Sequence, residues 1–194
     1  RAAPFADGTV VGADGGQLPP GERGEILVRG PNVIKSYWDN ETATREAFHA
    51  DGWFRTGDIG YMDDEDYLYI VDRIKDMYIS GGENVYPAEV EEVLFGHPDV
   101  GEVAVVADPD HRWGEVGHAY VVAKPGSEPI PEDIISYATQ RLAKYKVPKI
   151  VTFLDDLPRT GSGKVHKPKL RGSGPLGAHS AHSAHSAHGT DSND

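Results

Sequence analysis

The sequence predicts an α+β fold. Short runs of β-branched residues alternate along the chain with short segments that have helical apolar periodicity. Gly-, Pro- and Asp-rich turns separate these segments. The chain has 194 residues, 38% of them hydrophobic, which is enough for a core that needs neither disulfide nor structural metal. The absence of cysteine excludes a disulfide framework, a cysteine zinc site and a thiol nucleophile.

The first part of the chain is expected to be rich in strands. Residues 9–11 and Glu25–Arg29 have strand composition and flank a turn-rich segment. A helix is predicted to begin near Asn40 and to continue through TREAF, with Glu41 and Thr42 in its first turn. Further along, YMDDEDYLYIV predicts a hairpin in which two strands flank an acidic turn.

A helix with one apolar face is predicted after the compact SGGEN turn. Pro87 suits its first position, and Val90, Val93 and Leu94 recur at the spacing of one helical face. The runs VAVVA and AYVVA that follow are continuously apolar, which is typical of strands covered on both faces.

A second helix is predicted over PEDIISYATQRLAKYKVP, because it begins with proline and acidic residues and ends with basic ones. Ile135, Ala138 and Leu142 form its apolar stripe. IVTFL, at positions 150–154, predicts the last strand.

The domain organisation is predicted from changes in composition. A boundary is expected near Asp72–Asp76, so that residues 1–72 form a β-rich part and residues 73–171 a small domain. Residues 172–194 contain a His-Ser-Ala repeat and no large apolar residue after Leu176, which predicts a disordered tail. Its histidines could bind a transition metal loosely, but a solvated tail without this role is the favoured interpretation.

The charge balance excludes several functional classes. With 19 Lys+Arg against 31 Asp+Glu, the net charge of −12 argues against a nucleic-acid partner, which would need a basic face. No apolar run approaches the roughly 20 residues of a transmembrane helix, and the first residues do not have the pattern of a signal peptide. Together with the lack of cysteine, this leads us to expect a cytoplasmic protein.

Three motifs follow one another in a fixed order. They are TGD at 56–58, DRIKD at 72–76 with ISGGENVYP at 79–87, and PRTGSGKV at 158–165. In this order and spacing they resemble core motifs of the adenylate-forming (AMP-binding) enzymes, which include acyl-CoA synthetases, peptide-synthetase adenylation domains and firefly-type luciferases. The resemblance covers residues 1–171. It implies the family's small, mobile C-terminal domain, preceded by a β-rich remnant of the barrel-like subdomain of the larger N-terminal domain.

The resemblance assigns Asp58 and Arg73 to the nucleotide of ATP or AMP. A carboxylate can accept hydrogen bonds from both hydroxyls of a ribose, and the family aspartate that matches Asp58 does so. The family arginine that matches Arg73 also contacts the ribose. Without this context, Asp58 would be a turn cap, and Arg73 would pair with Asp72 or Asp76; for Arg73, ion pairing and ribose contact are compatible.

Lys75 matches the position of the family hinge, about which the C-terminal domain rotates. A hinge needs backbone freedom, so the position is predicted to matter more than the ammonium group. Gly81 and Gly82 lack Cβ atoms and could let the pantetheine arm of CoA pass along the backbone. An ordinary glycine turn is an equally good explanation of these two residues.

Lys164 is the predicted catalytic residue. It matches the family lysine that bridges the substrate carboxylate and the α-phosphate of ATP, where its charge stabilises the transition state of adenylation. Gly161 and Gly163 are expected to place it on a mobile loop. A nucleotide-binding P-loop is excluded, because Pro158 stands in place of its first glycine and Val165 in place of its Ser/Thr.

The remaining predicted contacts are with the nucleotide end of CoA. Trp113 and Tyr145 resemble aromatic positions that some acyl- and aryl-CoA ligases place near the adenine, and Lys149 could meet the phosphates. A core aromatic is an equally good explanation for each ring. No protein-bound metal site is predicted.

Other parts of such an enzyme do not occur in these 194 residues. The Ser/Thr/Gly-rich loop that binds ATP phosphates is absent, and the chain starts at Arg1 rather than Met. We therefore expect a fragment whose N-terminal AMP-binding domain, with the acyl pocket, precedes Arg1, and which does not form acyl-adenylate alone.

The function implied is ATP-dependent acyl-CoA ligation, in which an acid and ATP give acyl-AMP, and CoA then displaces AMP. ATP with its Mg2+, CoA and a carboxylic acid are the expected ligands of the complete enzyme. The segment DRIKDMYISGGENVYPAEVEEVL is most similar to fatty-acyl and aryl-acid CoA ligases. Two alternatives stay open: a non-catalytic or split module that docks on a separate N-terminal domain, and the equivalent part of a peptide-synthetase adenylation domain or luciferase-like enzyme.

Overall fold

The computed structural model describes residues 6–49 and 51–171, which form two β-sheets flanked by short helices. The α+β prediction is confirmed. The predicted disordered tail, residues 172–194, lies outside the described residues. Within the described part, every helix is too short or too polar to cross a lipid bilayer.

The first sheet has four antiparallel strands in the order β1-β2-β3-β4. Its elements, with the helix α1 that separates the second and third strands, are β1 (Asp7–Val11), β2 (Gly24–Arg29), α1 (Glu41–Glu46), β3 (Phe54–Met62) and β4 (Leu68–Arg73). The predicted helix start is confirmed, because the Asn40 side chain accepts a hydrogen bond from the Ala43 amide at 2.9 Å. The acidic hairpin is also confirmed: Asp63 accepts from the amides of Glu65 and Tyr67 within the turn.

Strand β3 is interrupted at the TGD motif. Its pairing with β2 passes from Arg55↔Leu27 to Ile59↔Glu25, so β3 contains two extra residues between these pairs, and Gly57 has a φ of 71°. A glycine before Asp58 would permit a tight turn, but the chain does not reverse at Gly57 and continues as a bulged strand. The bulge turns the strand locally, and a glycine accepts the positive φ that this requires.

The second sheet contains five strands within the described residues, four of them in the order β6-β5-β8-β7, with β9 parallel to β8. Its strands and helices are β5 (Tyr78–Ser80), β6 (Glu83–Val85), α2 (Pro87–Phe95), β7 (Val100–Asp110), β8 (Gly114–Ala123), α3 (Pro131–Thr139), β9 (Ile150–Phe153) and α4 (Lys167–Leu170). The predicted SGGEN turn joins β5 to β6. The sequence did not predict these two short strands or α4.

The β7–β8 hairpin lies between two apolar cores. Along β8, every residue from Val116 to Val121 is buried, which confirms the prediction that these runs are covered on both faces. One core contains Val105, Val121 and the apolar faces of α2 and α3. The other contains Tyr120 and residues that follow β9, among them Leu157. The hairpin is thus the common wall of both cores.

Helix α2 begins at Pro87 as predicted, and it buries Val90 and Leu94. Helix α3 is shorter than predicted, since it ends at Thr139. Turns follow the helix, in which the Arg141 and Leu142 amides bond to the Ala138 carbonyl, and the chain then returns to β8, where the Lys149 amide bonds to the Gly117 carbonyl at 2.9 Å, ahead of β9.

The buried face of α3 also differs in detail from the prediction. Ile134 and Ala138 are buried, whereas Ile135 and Leu142 are only partly buried and pack at the edge of the same core. Leu142 therefore has the predicted contact without the predicted helix.

Gly117 is expected to be intolerant of a side chain. A Cβ atom there would lie 2.5 Å from the Tyr78 hydroxyl oxygen and 3.5 Å from the Pro148 Cα, and Tyr78 is only 1% exposed. We expect Gly117→Ala to lower the free energy of unfolding by about 1–3 kcal/mol through overpacking. The control is Gly161→Ala, since a Cβ at Gly161 meets no atom within 4 Å. Urea unfolding followed by circular dichroism measures both, and equal midpoints for the two variants would contradict the overpacking.

Candidate functional site

The structure brings Asp58 and Arg73 together. The two residues are direct partners on β3 and β4, and the Arg73 Nε atom lies 3.3 Å from Asp58 Oδ1. Thr56 helps to hold Asp58 in this position, because its hydroxyl accepts a hydrogen bond from the Asp58 amide and donates one to the Ile26 carbonyl. The carboxylate and the guanidinium therefore lie side by side at the bulge, where one can accept from hydroxyl groups and the other can donate.

In the described structure, Arg73 forms an ion pair with neither Asp72 nor Asp76, so both ion pairs considered for it from the sequence are wrong. Asp72 instead accepts from the Arg73 amide and from the Ala88 amide, at 2.7 and 2.8 Å, and so ties the end of β4 to the first turn of α2. Asp76 pairs with Arg171 at 2.8 Å. These acids are used to hold the backbone between the two sheets, which leaves Asp58 as the acidic partner of Arg73.

Lys75, the predicted hinge position, lies in a turn between β4 and β5. The amides of Asp76 and Met77 both donate to the Arg73 carbonyl and close this turn. The Lys75 carbonyl accepts from the Arg171 guanidinium at 3.0 Å. The sequence did not predict this contact between positions 96 residues apart.

Gly81 and Gly82 form the two-residue turn between β5 and β6. Both have positive φ, 62° and 89°, which is the backbone that such a turn requires and that glycine adopts most easily. The Gly81 amide donates to the Trp113 carbonyl at 2.9 Å. The glycine turn therefore lies against the loop that joins β7 to β8.

Trp113 packs directly on this turn. A Cβ atom at Gly81 would lie 2.7 Å from the indole Cε3 atom, so only a glycine leaves room for the ring. Asp110 holds the loop by accepting from the amides of Trp113 and Arg112, both at 2.8 Å. These two hydrogen bonds, that of Trp113 first, lower the pKa of the Asp110 carboxyl below its ordinary value.

Lys149 completes the group. Its ammonium nitrogen lies 5.6 Å from the centre of the Trp113 ring, and its amide is held by the Gly117 carbonyl. We call Gly81, Gly82, Trp113 and Lys149 the glycine–tryptophan face. Its members come from three separate parts of the sequence, and all are exposed or half-buried.

Tyr145, the other aromatic residue predicted to contact CoA, is not part of the glycine–tryptophan face. It is partly buried and packs against the core that contains α2 and α3, and the Lys146 ammonium is 5.8 Å from its ring centre. The core-aromatic interpretation thus accounts for the contacts of Tyr145, whereas Trp113 contacts the glycine turn.

Lys164 lies on an exposed, tight turn. Its carbonyl accepts from the Thr160 amide at 2.8 Å, and Arg159 and Val165 form a β-bridge across the base. Gly163 has a φ of 83° within this turn. Among the described residues, no hydrogen bond or ion pair joins Lys164 to Asp58 or to Arg73.

Metal binding by the protein itself has no support in the described part of the chain, where no three His, Asp or Glu side chains come together in a suitable group. In the acidic hairpin turn, Asp63 accepts hydrogen bonds from the amides of Glu65 and Tyr67 and from the Tyr69 hydroxyl.

Comparison with known proteins agrees with this architecture. Residues 89–164 match the profile of the AMP-binding enzyme C-terminal domain. The chain is 52% identical over 167 residues to feruloyl-CoA synthase of an Amycolatopsis species, covering 86% of this chain and 34% of that protein. It is 47% identical over 162 residues to the fatty acid–[acyl-carrier-protein] ligase ScoC of Streptomyces coeruleorubidus, covering 84% and 31%.

Among solved structures, ATP-bound MatB from Rhodopseudomonas palustris superimposes with a TM-score of 0.83 at 42% identity, covering 88% of this chain and 34% of that one. The chain spans about a third of the length of each of these proteins. A four-stranded antiparallel sheet followed by a second sheet with two cores, with these motifs on its strands and turns, is the architecture of the C-terminal region of adenylate-forming enzymes. Residues 89–164 are an AMP-binding enzyme C-terminal domain, and the chain as a whole matches the C-terminal region of acyl-CoA and aryl-CoA ligases of this family.

The contact between Gly81 and Trp113 can be tested with two glycine variants. Gly81→Ala and Gly82→Ala both place a side chain at positive φ, which costs about 1–2 kcal/mol. Only Gly81→Ala also collides with the indole, since a Cβ at Gly82 meets no atom within 4 Å. We expect Gly81→Ala to be the more destabilised by a further 1–3 kcal/mol, approximately.

The same pair should differ in the environment of the indole. With Trp38 and Trp53 replaced by Phe, the remaining tryptophan fluorescence reports Trp113. We expect Gly81→Ala to shift this emission and Gly82→Ala to leave it unchanged. An equal shift in both variants would show that the ring does not rest on Gly81.

Proposed function

We propose that this chain is the C-terminal part of an acid–CoA ligase that uses ATP. The glycine–tryptophan face carries this proposal: four of the five residues that the family resemblance assigns to CoA lie together although they are far apart in the sequence, and only Tyr145 packs on the core instead. The identity of 52% to a feruloyl-CoA synthase supports the same reaction class. The two further motifs, at Asp58 with Arg73 and at Lys164, supply groups suited to the nucleotide and to adenylation.

In the first half-reaction, the carboxylate oxygen of the acid attacks the α-phosphate of ATP, and pyrophosphate leaves. Asp58 accepts hydrogen bonds from the ribose hydroxyls while Arg73 donates to the same sugar. Lys164 reaches the site from its turn and places one positive charge between the acid and the α-phosphate, where negative charge accumulates in the transition state. Mg2+ enters with the phosphates of ATP, and no described acidic group of this chain is assigned to it.

In the second half-reaction, the CoA thiolate attacks the acyl carbonyl and AMP leaves with the bonding pair. At the Gly81–Gly82 turn, the Gly81 side is covered by Trp113, and the Gly82 side, where a Cβ would meet no atom within 4 Å, leaves the pantetheine arm an open path along the backbone. Trp113 offers a flat surface to the adenine, and Lys149 meets the phosphates. The two half-reactions use different faces of the domain, so it rotates between them about the turn that contains Lys75.

The isolated chain is proposed to be inactive. The phosphate loop and the acyl pocket are required for adenylation and do not occur in this sequence, which spans about a third of its relatives. For the same reason the acid is left open, and feruloyl and fatty-acid ligases are both among the relatives.

A carrier protein is the alternative thiol acceptor. The relative ScoC, at 47% identity, is a fatty acid–[acyl-carrier-protein] ligase. The pair of half-buried Trp113 and exposed Lys149 favours CoA, because the adenine and phosphates of CoA complement a ring and a cation, and a carrier protein presents neither adenine nor 3′-phosphate. A non-catalytic or split module that docks on a separate N-terminal domain, a peptide-synthetase adenylation domain and a luciferase-like enzyme are the remaining alternatives.

CoA should bind the isolated chain at the glycine–tryptophan face. In the background with Trp38 and Trp53 replaced by Phe, we expect CoA to quench Trp113 fluorescence saturably. Lys149→Ala should weaken binding about fivefold, the loss of about 1 kcal/mol for an exposed charge contact.

The matched control is Lys124→Ala. Lys124 follows the far end of β8, about 30 Å of strand away from Trp113. Its removal should leave CoA affinity unchanged. No saturable quenching by millimolar CoA, or equal weakening by both lysine variants, would contradict the assignment of CoA to this face.

Reconstitution tests the role of Lys164. The chain is mixed with the separately expressed N-terminal two-thirds of the feruloyl-CoA synthase relative, with ferulate, ATP, Mg2+ and CoA. We expect pyrophosphate and feruloyl-CoA only when both parts are present, and a loss of about 10²–10³-fold in pyrophosphate release for Lys164→Ala. Lys124→Ala should keep full activity.

Three other outcomes are informative. Pyrophosphate release by the isolated chain above its Lys164→Ala variant would contradict the proposed inactivity. Binding of the two parts without turnover would favour a non-catalytic module. Acyl transfer to a carrier protein but not to CoA would favour the carrier-protein alternative.

A further inference from the structure

The turn that carries Lys164 is closed by its own backbone but contains flexible positions. The amides of Thr160 and Gly163 bond to the carbonyls of Lys164 and Thr160, at 2.8 and 2.9 Å. Gly161 and Gly163 lie inside the turn, and a Cβ at either would meet no atom within 4 Å. Because glycine has more accessible backbone conformations than any other residue, these two bonds alone restrain the turn weakly.

The base of the turn is firmly anchored. Leu157 is 2% exposed in the second core, and Val165 packs against the same core from the other side of the turn. The β-bridge between Arg159 and Val165 joins the two sides. This anchoring does not fix the direction in which the tip of the turn, which carries Lys164, points away from the domain.

Arg159 connects the tip to the sheet. Its Nη2 atom bonds to Glu102 Oε2 on β7 at 2.5 Å, and its Nη1 atom donates to the Gly163 carbonyl at 3.1 Å. Asp156 lies further off, at 3.9 Å from Nε. One guanidinium therefore holds a carboxylate of the sheet and a carbonyl of the turn at the same time, which its planar fork of donors allows.

The bonded carbonyl is the one next to Lys164. The Gly163 carbonyl and the Lys164 amide belong to one planar peptide unit, so fixing the direction of the carbonyl also fixes the direction in which the Lys164 Cα lies. The side chain of Lys164 then leaves the turn from a defined starting point.

We propose that Arg159, held by Glu102, is a positioning residue for Lys164. Its catalytic consequence rests on the role of Lys164 under the proposed function, whereas its restraint of the turn does not. Both partners are partly exposed, 39% for Arg159 and 43% for Glu102, so the pair adds little to global stability and acts on the turn. A lysine at position 159 could hold one acceptor but lacks the fork that reaches both.

The restraint is measured on the full chain by amide hydrogen exchange. In Arg159→Ala, we expect the amides of Thr160 and Gly163 to exchange about fivefold faster, with partial recovery in Arg159→Lys. Glu102→Ala should show a smaller increase. The double variant Arg159→Ala/Glu102→Ala should exchange no faster than Arg159→Ala, since both act through one contact.

Arg141→Ala is the matched control. Arg141 is an exposed arginine that also donates to a backbone carbonyl, that of Tyr137 at 3.1 Å. Its removal should leave exchange at Thr160 and Gly163 unchanged. Unchanged exchange in Arg159→Ala, or equal acceleration in Arg141→Ala, would overturn the restraint whatever the activity of the variants.

The catalytic consequence is measured after reconstitution with the N-terminal part of the feruloyl-CoA synthase relative. We expect Arg159→Ala to lower kcat for pyrophosphate release about tenfold with KM for ATP unchanged, because the nucleotide contacts are elsewhere. Combined with Lys164→Ala it should cause no further loss, whereas an added loss would overturn action through Lys164. If Lys164→Ala itself has no effect, the proposed function fails. The hydrogen-exchange result still decides whether Arg159 restrains the Lys164 turn.

Discussion

The long antiparallel ladder between β7 and β8 supports every other feature of the small domain. Pairing runs from Val100↔Ala123 to Asp110↔Gly114, and both faces of β8 are buried. Helices α2 and α3 cover one face, and the segment that leads to α4 covers the other. Because the hairpin is the wall shared by the two cores, any shift in its register would displace both of them. Its end turn carries Trp113, and its first strand carries Glu102.

Three arginines and two lysines of this acidic chain have different tasks. Arg73, Arg159 and Arg171 each pair with a carboxylate at a joint: between β3 and β4, at the Lys164 turn, and at the turn that contains Lys75. A guanidinium suits such joints because it binds two acceptors in a fixed geometry. Among the described residues, neither Lys149 nor Lys164 forms an ion pair, so both ammonium groups are available to an anionic ligand.

The sequence predicted those features that are encoded locally. Asn40 capped its helix, Pro87 opened the next one, and the continuous apolar runs became strands buried on both faces, since each pattern reflects contacts within a few residues. The errors were non-local. Helix α3 ends at Thr139 although the local pattern predicts helix beyond it, and the partner of Arg73 depends on strand register. The contact between Arg171 and Lys75 spans 96 positions, and no periodicity indicates it. The convergence of Gly81, Trp113 and Lys149 was expected only through family resemblance.

Strand β7 places its two functional neighbourhoods at opposite ends. Glu102, which holds the Lys164 turn through Arg159, and Asp110, which holds the Trp113 loop, are eight residues apart on one strand, about 26 Å. A rigid rod of this length cannot present both ends to one small reaction centre at once. Under the proposed function, the Lys164 turn and the Trp113 loop would therefore serve the two half-reactions one after the other, from opposite ends of a single strand.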